Sequence, residues 1–311
     1  MRVFISGATG FVGSNLINFL NSPGSTYTIY GTSFPQKSAP GEKNIFFMDI
    51  RSEEDVFRVI KEIKPLWIFH LAAISNVKYS WGNKKETLET NVLGTFYLFE
   101  AVREFSPQSR FLFVSSSDVY GAGCPDEEAL EEKDSFNVVN PYAFSKVSGE
   151  LLSKFYIQSE GLDIVIVRPF THTGPGQSPD FVCSDWARQI AQIEKGLAKP
   201  VIKVGNLEAE RDYTSVSDVV RAYTLLMQKG KRGEVYNVCS GKFLSLKKIL
   251  DILLSFSSLS IEVQVDPEKL RKADIPRLVG SNIKIYKDTS WRPEIPLEKS
   301  LFDLLEYWRQ R

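Results

Sequence analysis

The 311-residue sequence predicts an α/β protein with a doubly wound parallel sheet and a smaller C-terminal α/β substrate-binding domain. Short runs rich in β-branched and aromatic residues alternate with helix-period segments through the first half of the chain, which is the pattern of a parallel sheet. These runs are nearly all apolar, as expected when helices cover both faces. A glycine-rich turn directly after the first run indicates a phosphate-binding loop.

Each element follows from its local pattern. A helix stops before Pro65, which cannot continue it, and Asn140 with Pro141 forms the N-cap and first turn of another. In the first half we expect strands at 2–6, 27–30, 45–48, 66–69, 111–114 and 163–167, with helices at 11–20 and about 85–104. In the second half we expect strands at 201–204, 212–214 and 234–238 and helices at about 185–195, 246–256 and 297–309.

The rhythm of the chain changes after Pro169, where a segment rich in glycine, proline and polar residues begins. We therefore predict a larger domain at 1–168, with 212–240 returning to its sheet, and a smaller domain at 169–311. The smaller domain is expected to cover the C-terminal edge of the sheet, where open α/β sheets bind ligands.

Composition excludes several classes of function. Thirty-eight basic residues balance thirty-eight acidic ones, so no global field attracts nucleic acid or an anionic membrane. No apolar run approaches the ~20 residues of a membrane span, and the first strand begins at residue 2 without a leader, which predicts a cytoplasmic protein. Neither the cysteines (Cys124, Cys183, Cys239) nor the histidines (His70, His172) show metal-ligand spacing, so no metal is expected.

The glycine turn has the composition of a dinucleotide site. Gly7 can make the sharp turn, Gly10 allows close approach of a diphosphate, and Gly13 lets the helix approach the sheet. The N-terminus of that helix supplies free N–H groups and a partial positive charge.

The pair Tyr142 and Lys146 is the strongest candidate for chemistry. Residues four apart share one face of a helix, so the phenol and the ammonium can meet. A nearby cation favours the phenolate, so we expect Lys146 to lower the pKa of Tyr142. A tyrosine tuned in this way can exchange a proton with a carbonyl or alcohol oxygen.

Together the glycine spacing and Tyr-x-x-x-Lys resemble the extended short-chain dehydrogenase/reductase family over the whole chain. Further matching segments lie at 70–73, 91–95, 115–121 and 168–170. The resemblance implies a Rossmann sheet, an NAD(P) cofactor, and a homodimer that pairs the helix near 85–104 with the Tyr142 helix.

The resemblance also implies the cofactor contacts. Asp49 and Ile50 would hold the adenine, although an aspartate capping its loop is an alternative. No acid follows the second strand, where Thr32 and Ser33 stand with Lys37 nearby, which favours NADP(H) and leaves NAD(H) open. The implied cofactor-binding residues are Gly7, Thr9, Gly10, Phe11, Val12, Gly13, Thr32, Ser33, Asp49, Ile50, Leu71, Ala72, Ala73, Ser115, Tyr142, Lys146 and Pro169.

By the same resemblance, the catalytic residues are Ser116, Tyr142 and Lys146. Ser116 would hydrogen-bond the substrate oxygen, Tyr142 would exchange its proton, and Lys146 would hold the nicotinamide ribose. Ser117 and Asp118 would contact the substrate. Family dehydratases carry a glutamate at position 118, and the shorter Asp118 side chain leaves the elimination machinery incomplete. What remains suits the reduction of a ketone.

Segments 168–177, 204–213 and 266–276 resemble the branch of the family that reduces GDP-linked 4-keto-6-deoxy-mannose, which would give GDP-D-rhamnose. Arg211 and Arg271 would clamp the diphosphate, Asp274 would bind the guanine edge, and Arg188 is a further phosphate candidate. Asparagine is usual where Thr171 stands, so a sugar contact differs. Alternatives are an ion pair of Arg211 with a neighbouring aspartate and surface-loop roles for Arg271 and Asp274.

Two other functions remain open from the sequence. One is a GDP-mannose 4,6-dehydratase or a nucleotide-sugar epimerase with tightly held NAD⁺. The other is a non-catalytic dinucleotide-sensing protein, which the presence of both Tyr142 and Lys146 disfavours.

Overall fold

The computed structural model describes residues 1–34, 44–121, 128–269 and 275–311. Four residues singled out above, Lys37, Cys124, Arg271 and Asp274, lie outside the described residues.

A seven-stranded parallel sheet forms the centre of the protein, as predicted. Its strand order is β3-β2-β1-β4-β5-β6-β11, so the order reverses beside β1. The strands are β1 (Arg2–Ser6), β2 (Thr28–Ser33), β3 (Ile45–Phe47), β4 (Trp67–His70), β5 (Arg110–Val114), β6 (Asp163–Pro169) and β11 (Val235–Val238).

Helices cover both faces of this sheet. Along β6, Ile164 and Ile166 pack on one side and Val165 and Val167 on the other, because successive strand residues point to opposite faces. The helices on the first side are α2 (Glu53–Ile63), α5 (Gly94–Phe105) and α6 (Pro141–Ser159), and those on the second are α1 (Phe11–Leu20), α8 (Val216–Lys229) and α10 (Ile283–Thr289). This double cover explains the apolar strand sequences.

The long helix expected near 85–104 is not continuous. It is divided into α4 (Lys84–Leu88), a π-helical turn (Glu89–Leu93) and α5, preceded by the short helix α3 (Val77–Gly82). At the π turn, the amide of Asn91 exchanges two hydrogen bonds with the backbone of Ile74 and donates a third to Ser145. We attribute the irregularity to these contacts, since π turns often occur where side chains serve a site.

The second half adds small sheets and a separate core. Trp186 and Ile190 of α7 pack there against Leu250 and Leu304. The helices are α7 (Val182–Glu194), α9 (Leu246–Ser255) and α11 (Leu297–Arg309). The strands are β7 (Thr171–Thr173) with β10 (Tyr213–Ser215), β8 (Val201–Val204) with β13 (Glu262–Val265), and β12 (Leu244–Ser245), β9 (Glu210–Arg211) and β14 (Arg277–Leu278) together.

The sequence analysis did not predict the helices α3, α8 and α10. Ser215 ends β10 and also caps α8, which leaves almost no loop between the two elements to mark the boundary. Ile285 of α10 and Trp291 join the core of the large sheet although they follow the small sheets in sequence. None of the helices in the described residues is long and apolar enough to cross a membrane.

Candidate active site

The glycine loop follows β1 and forms a narrow cradle. Gly7 has φ of +71°, a conformation that favours glycine, and a Cβ on Gly13 would lie 2.3 Å from the Gly7 carbonyl oxygen. The Gly7 amide donates to Thr32 Oγ1 at 3.1 Å, and the Ala8 amide donates to the Thr32 carbonyl at 3.0 Å. These two hydrogen bonds therefore hold the glycine loop against β2.

Helix α1 begins directly after this cradle. Gly10 is its N-cap and offers no side-chain hydrogen bond, so the first-turn N–H groups are available to an anion. A dinucleotide diphosphate fits a loop without side chains at the N-terminus of a ten-residue helix. The glycine positions thus match the group that the sequence predicts.

The buried His70, at the end of β4, connects that strand to β1 and α5. Its Nδ1 lies 2.7 Å from Ser6 Oγ and its Nε2 lies 2.9 Å from Thr95 Oγ1. Burial lowers the pKa of His70 to about 3, with a smaller contribution from the Lys146 charge, so the ring is neutral. Ser6 Oγ also accepts from the amides of Leu71 and Ala72, at 3.1 Å each. His70 therefore has a structural role that fixes the loop after β4.

The adenine-binding candidates lie at the ends of β2 and β3. Asp49 accepts from the Arg51 amide at 2.9 Å, as a loop-capping aspartate does, and also binds the Arg51 guanidinium at 2.8 Å. Burial opposes ionisation of Asp49, but the bonds from Arg51 outweigh it and hold its pKa below the usual value. Ile50 is buried, and the Arg51 guanidinium lies 5.3 Å from the centre of the Phe34 ring.

Thr32 and Ser33 are both buried. The Thr32 hydroxyl is engaged by the Gly7 amide. Its clearest function in the structure is therefore to hold the glycine loop.

The structure brings Ser116, Tyr142 and Lys146 together. Asn140 caps α6 by accepting from the Ala143 amide at 2.7 Å, and Pro141 is the first helical residue, as predicted. Tyr142 therefore lies in the first turn of α6, where its phenol is near enough to the Ser116 hydroxyl, just after β5, for that hydroxyl to favour the phenolate. Lys146 lies one turn later, with Nζ 5.8 Å from the centre of the Tyr142 ring.

The expected lowering of the Tyr142 pKa is wrong. Burial raises the pKa of Tyr142 well above its usual value, and the Asp118 carboxylate raises it further, while the nearby Ser116 hydroxyl opposes both effects. Lys146 instead donates to the Val114 carbonyl at 2.8 Å. Burial lowers the pKa of Lys146 itself to about 8. The expectation failed because helical spacing places the two groups near each other but does not include their desolvation.

Ser117 and Asp118 begin a 3₁₀ turn (Ser117–Tyr120) directly after Ser116. Ser116 Oγ donates to Asp118 Oδ2 at 3.0 Å and accepts from the Asp118 amide at 3.1 Å. Ser117 is buried. The Asp118 carboxylate is thus held beside Ser116, close enough to Tyr142 to raise its pKa.

The sequence analysis missed one residue on the face of α6 that carries Tyr142 and Lys146. Glu150 follows Lys146 by four positions and accepts a hydrogen bond from Ser115 Oγ at 2.6 Å. The spacing of four after Tyr142 and Lys146 was the signal that could have identified it.

On the opposite side of the cleft, His172 lies in β7 beside Thr171. Its ring stacks on Phe11, the first residue of α1, with centroids 5.9 Å apart and an interplanar angle of 11°. Its Nδ1 lies 2.9 Å from the Phe170 carbonyl oxygen, and burial lowers its pKa. The histidine therefore connects β7 to the start of α1, and its predicted role in ordering the loop stays a prediction.

The described phosphate candidates lie on two elements of the second half of the chain, α7 and β9. Arg211 of β9 donates through Nη1 to the carbonyls of Glu210 and Ile275, at 2.8 and 2.6 Å. Arg188 of α7 donates to Asp185 at 3.0 Å, and its Nε is buried without a hydrogen-bond partner among the described residues. Such an orphaned donor is unusual in a folded protein, which favours a role toward a ligand.

A cavity of about 590 Å³ opens near the segment that follows β4. Ile74, Asn76 and Tyr79 line one side, and Asp180 and Phe181 line the other. It lies between α3, which follows the end of β4, and the start of α7. Within the described residues, no group of histidine, cysteine, aspartate or glutamate side chains is arranged to hold a metal ion.

Known proteins share both the sequence and the fold. The model of the family described as GDP-mannose 4,6 dehydratase matches residues 4–303. GDP-6-deoxy-D-mannose reductase from Pseudomonas aeruginosa is 32% identical, with 100% of this chain and 98% of that protein covered. A solved structure of RMD from Pseudomonas aeruginosa in complex with NADPH superposes with a TM-score of 0.89 at 31% identity, covering 99% of both chains.

A second solved structure carries a different cofactor. It is UDP-glucose 4-epimerase from Thermus thermophilus in complex with NAD, with a TM-score of 0.88, 28% identity and 99% of both chains covered. From the family match over nearly the whole chain, this protein belongs to the GDP-mannose 4,6-dehydratase family, within the extended short-chain dehydrogenases/reductases.

Proposed function

We propose that this protein is an NAD(P)H-dependent reductase of a nucleotide-linked 4-keto-6-deoxy sugar, with GDP-4-keto-6-deoxy-D-mannose as substrate and GDP-D-rhamnose as product. The observation that carries the proposal is the buried phenol of Tyr142 beside Ser116 and Lys146 at the end of β5. The similarity to GDP-6-deoxy-D-mannose reductase supports the choice of substrate.

The residues of the chain divide the work of a ketone reduction. Tyr142 gives its proton to the C4 oxygen, and Ser116 holds that oxygen by a hydrogen bond. Transfer is downhill although the pKa of Tyr142 is raised, because an alkoxide is a stronger base than a phenolate. Lys146, fixed by the Val114 carbonyl, stabilises the phenolate that remains. When bound, the reduced nicotinamide supplies the hydride for the C4 carbon.

The side chain at position 118 favours reduction over the dehydratase reaction. Asp118 is one methylene shorter than the glutamate of the dehydratases, and a misplacement of about 1 Å can cost roughly a hundredfold in rate.

The test is to incubate the purified protein with NADPH and authentic GDP-4-keto-6-deoxy-D-mannose and to follow absorbance of the reduced cofactor. We expect consumption of NADPH and formation of GDP-D-rhamnose. Unchanged absorbance with authentic substrate refutes the assignment.

The same preparation tests the runner-up. A dehydratase or epimerase would be purified with oxidised cofactor and would convert GDP-mannose without added reductant. We expect neither result.

Cofactor choice is a separate part of the proposal. No acidic residue directly follows β2 in the sequence, at the position where a carboxylate would favour NAD. The similar RMD structure holds NADPH. We expect turnover with NADPH to exceed turnover with NADH, and a tenfold preference for NADH contradicts the proposal.

We also infer a homodimer that pairs α5 and α6 with those of a second copy. The outer face of α6 exposes Phe144, Leu151 and Phe155 at 51%, 55% and 53%, and Phe96 of α5 is also exposed. An apolar stripe of this kind, opposite the buried face that carries Tyr142, is typical of an interface. Sedimentation of the wild type should give a dimer that Leu151→Glu dissociates, and a wild-type monomer at micromolar concentration contradicts it.

A further inference from the structure

A buried ion pair lies behind the proton-transfer residues. Arg168 Nε and Nη2 donate to Glu150 Oε1 and Oε2, at 2.8 Å each, and the two side chains are 3% and 0% exposed. Burying two charges is costly and is tolerated only when geometry and further hydrogen bonds compensate. Here both requirements are met, which raises the question of what the pair holds in place.

On the α6 side, the pair lies on the same helix face as Tyr142 and Lys146, because residues four apart on a helix share one face. Lys146 donates to the Val114 carbonyl at 2.8 Å, and Glu150 accepts from Ser115 at 2.6 Å. Two successive turns of α6 are therefore joined to two consecutive residues at the end of β5, and the turn before them carries Tyr142 beside Ser116.

On the other side, Arg168 holds the segment that follows Ser116. Its Nη1 donates to Tyr120 Oη at 2.9 Å and to the Glu132 carbonyl at 3.1 Å. Its guanidinium lies 4.9 Å from the Tyr120 ring centre and 5.0 Å from that of Phe136. Tyr120 closes the 3₁₀ turn that contains Asp118. The arginine thus holds the last residue of the turn, while Glu150 holds Ser115, two residues before the turn begins.

We propose that Glu150, held by Arg168, is a positioning residue that sets the register of α6 against β5 and so places Tyr142 on Ser116. This inference rests on the proposed reductase function. Glu150 touches neither Tyr142 nor Ser116 in these contacts and acts through Ser115. Because a shift of about 1 Å between reacting groups can cost roughly a hundredfold in rate, losing this connection should lower kcat rather than binding.

The first test is Glu150→Gln, which keeps the size of the side chain and removes its charge. We expect kcat for keto-sugar reduction to fall about 10- to 100-fold, while the KM for the sugar and the Kd for NADPH stay within about threefold. The matched control is Glu194→Gln, because Glu194 also forms a two-bond pair with an arginine, Arg309, at 2.7 and 2.6 Å, but in the small domain. A kcat of Glu150→Gln within twofold of wild type, or an equal loss in the control, overturns the proposal.

The second test separates positioning from general stability. Ser115→Ala removes the hydrogen bond between the pair and β5, so it should also lower kcat while the Kd for NADPH stays within about threefold, and adding it to Glu150→Gln should cause little further loss. If Glu150→Gln does not fold, Ser115→Ala decides alone, and an unchanged kcat or strictly multiplicative losses refute the proposal.

Crystal structures of wild type and Ser115→Ala or Glu150→Gln provide a readout without activity. The contact between Lys146 Nζ and the Val114 carbonyl, 2.8 Å here, should lengthen or break in the variant. A wild-type protein that does not oxidise NADPH refutes only the reductase function. The positioning role is then judged on the contact between Lys146 and the Val114 carbonyl, and an unchanged contact in the variant refutes it.

Discussion

The α6 side of the site and the side formed by α7 and β9, where we propose that the nucleotide binds, differ in how their polar side chains are paired. Around Tyr142, the side chains of Ser116, Ser115 and Lys146 all form hydrogen bonds with other groups of the protein. On the nucleotide side, Arg211 is engaged by two backbone carbonyls, but Arg188 keeps a buried Nε without a partner among the described residues. We therefore expect the α6 side to be fixed by the protein itself and Arg188 to have a donor left for a bound nucleotide.

This difference predicts opposite kinetic consequences. Changes on the α6 side should lower kcat, because they disturb groups that act in the transition state. Changes on the nucleotide side should raise KM, because they remove binding that substrate and transition state share.

The largest effect is expected for Tyr142→Phe, which removes the proton donor and keeps the ring. General acid catalysis contributes about 10²- to 10⁴-fold, so kcat for keto-sugar reduction should fall by that factor. Binding of NADPH, measured by fluorescence titration, should change little. Activity of Tyr142→Phe within tenfold of wild type would contradict the role of Tyr142 as proton donor and would favour the non-catalytic interpretation.

The pH dependence should be the next largest effect. Burial lowers the pKa of Lys146 to about 8 and raises that of Tyr142, so the free protein has a charged lysine and a protonated phenol below about pH 8. Above that pH the lysine loses its charge first. We expect kcat/KM for NADPH to fall about tenfold per pH unit there, since this ratio reports groups of the free enzyme. A profile that stays flat to pH 10 contradicts this prediction.

The smallest effect is expected on the nucleotide side. Arg211→Met should raise the KM for the GDP-sugar about tenfold, equivalent to ~1.4 kcal/mol, with kcat nearly unchanged. The matched control is Arg232→Met, because Arg232 also donates to two carbonyls, of Leu162 and Ile157, but at the opposite edge of the sheet. A fall in kcat for Arg211→Met at constant KM would contradict the expected division between catalysis on the α6 side and binding on the nucleotide side.

Much of the fold was predictable because it follows from local periodicity. The predicted strands at 2–6 and 201–204 and the helices at 11–20 and 297–309 agree with the structure at both ends. Glycine spacing, apolar strands and the cap at Asn140 each depend on neighbours in sequence. The same holds for the shared helical face of Tyr142 and Lys146.

The sequence by itself determined the parallel sheet, the glycine cradle and the residue types of the site. Only the tertiary structure decided how those groups are charged and held. The raised pKa of Tyr142 depends on burial and on Asp118, and the pairing of Glu150 with Arg168 depends on the packing of α6 against β6. Desolvation and long-range pairing join residues that are distant in sequence, so no local pattern specifies them.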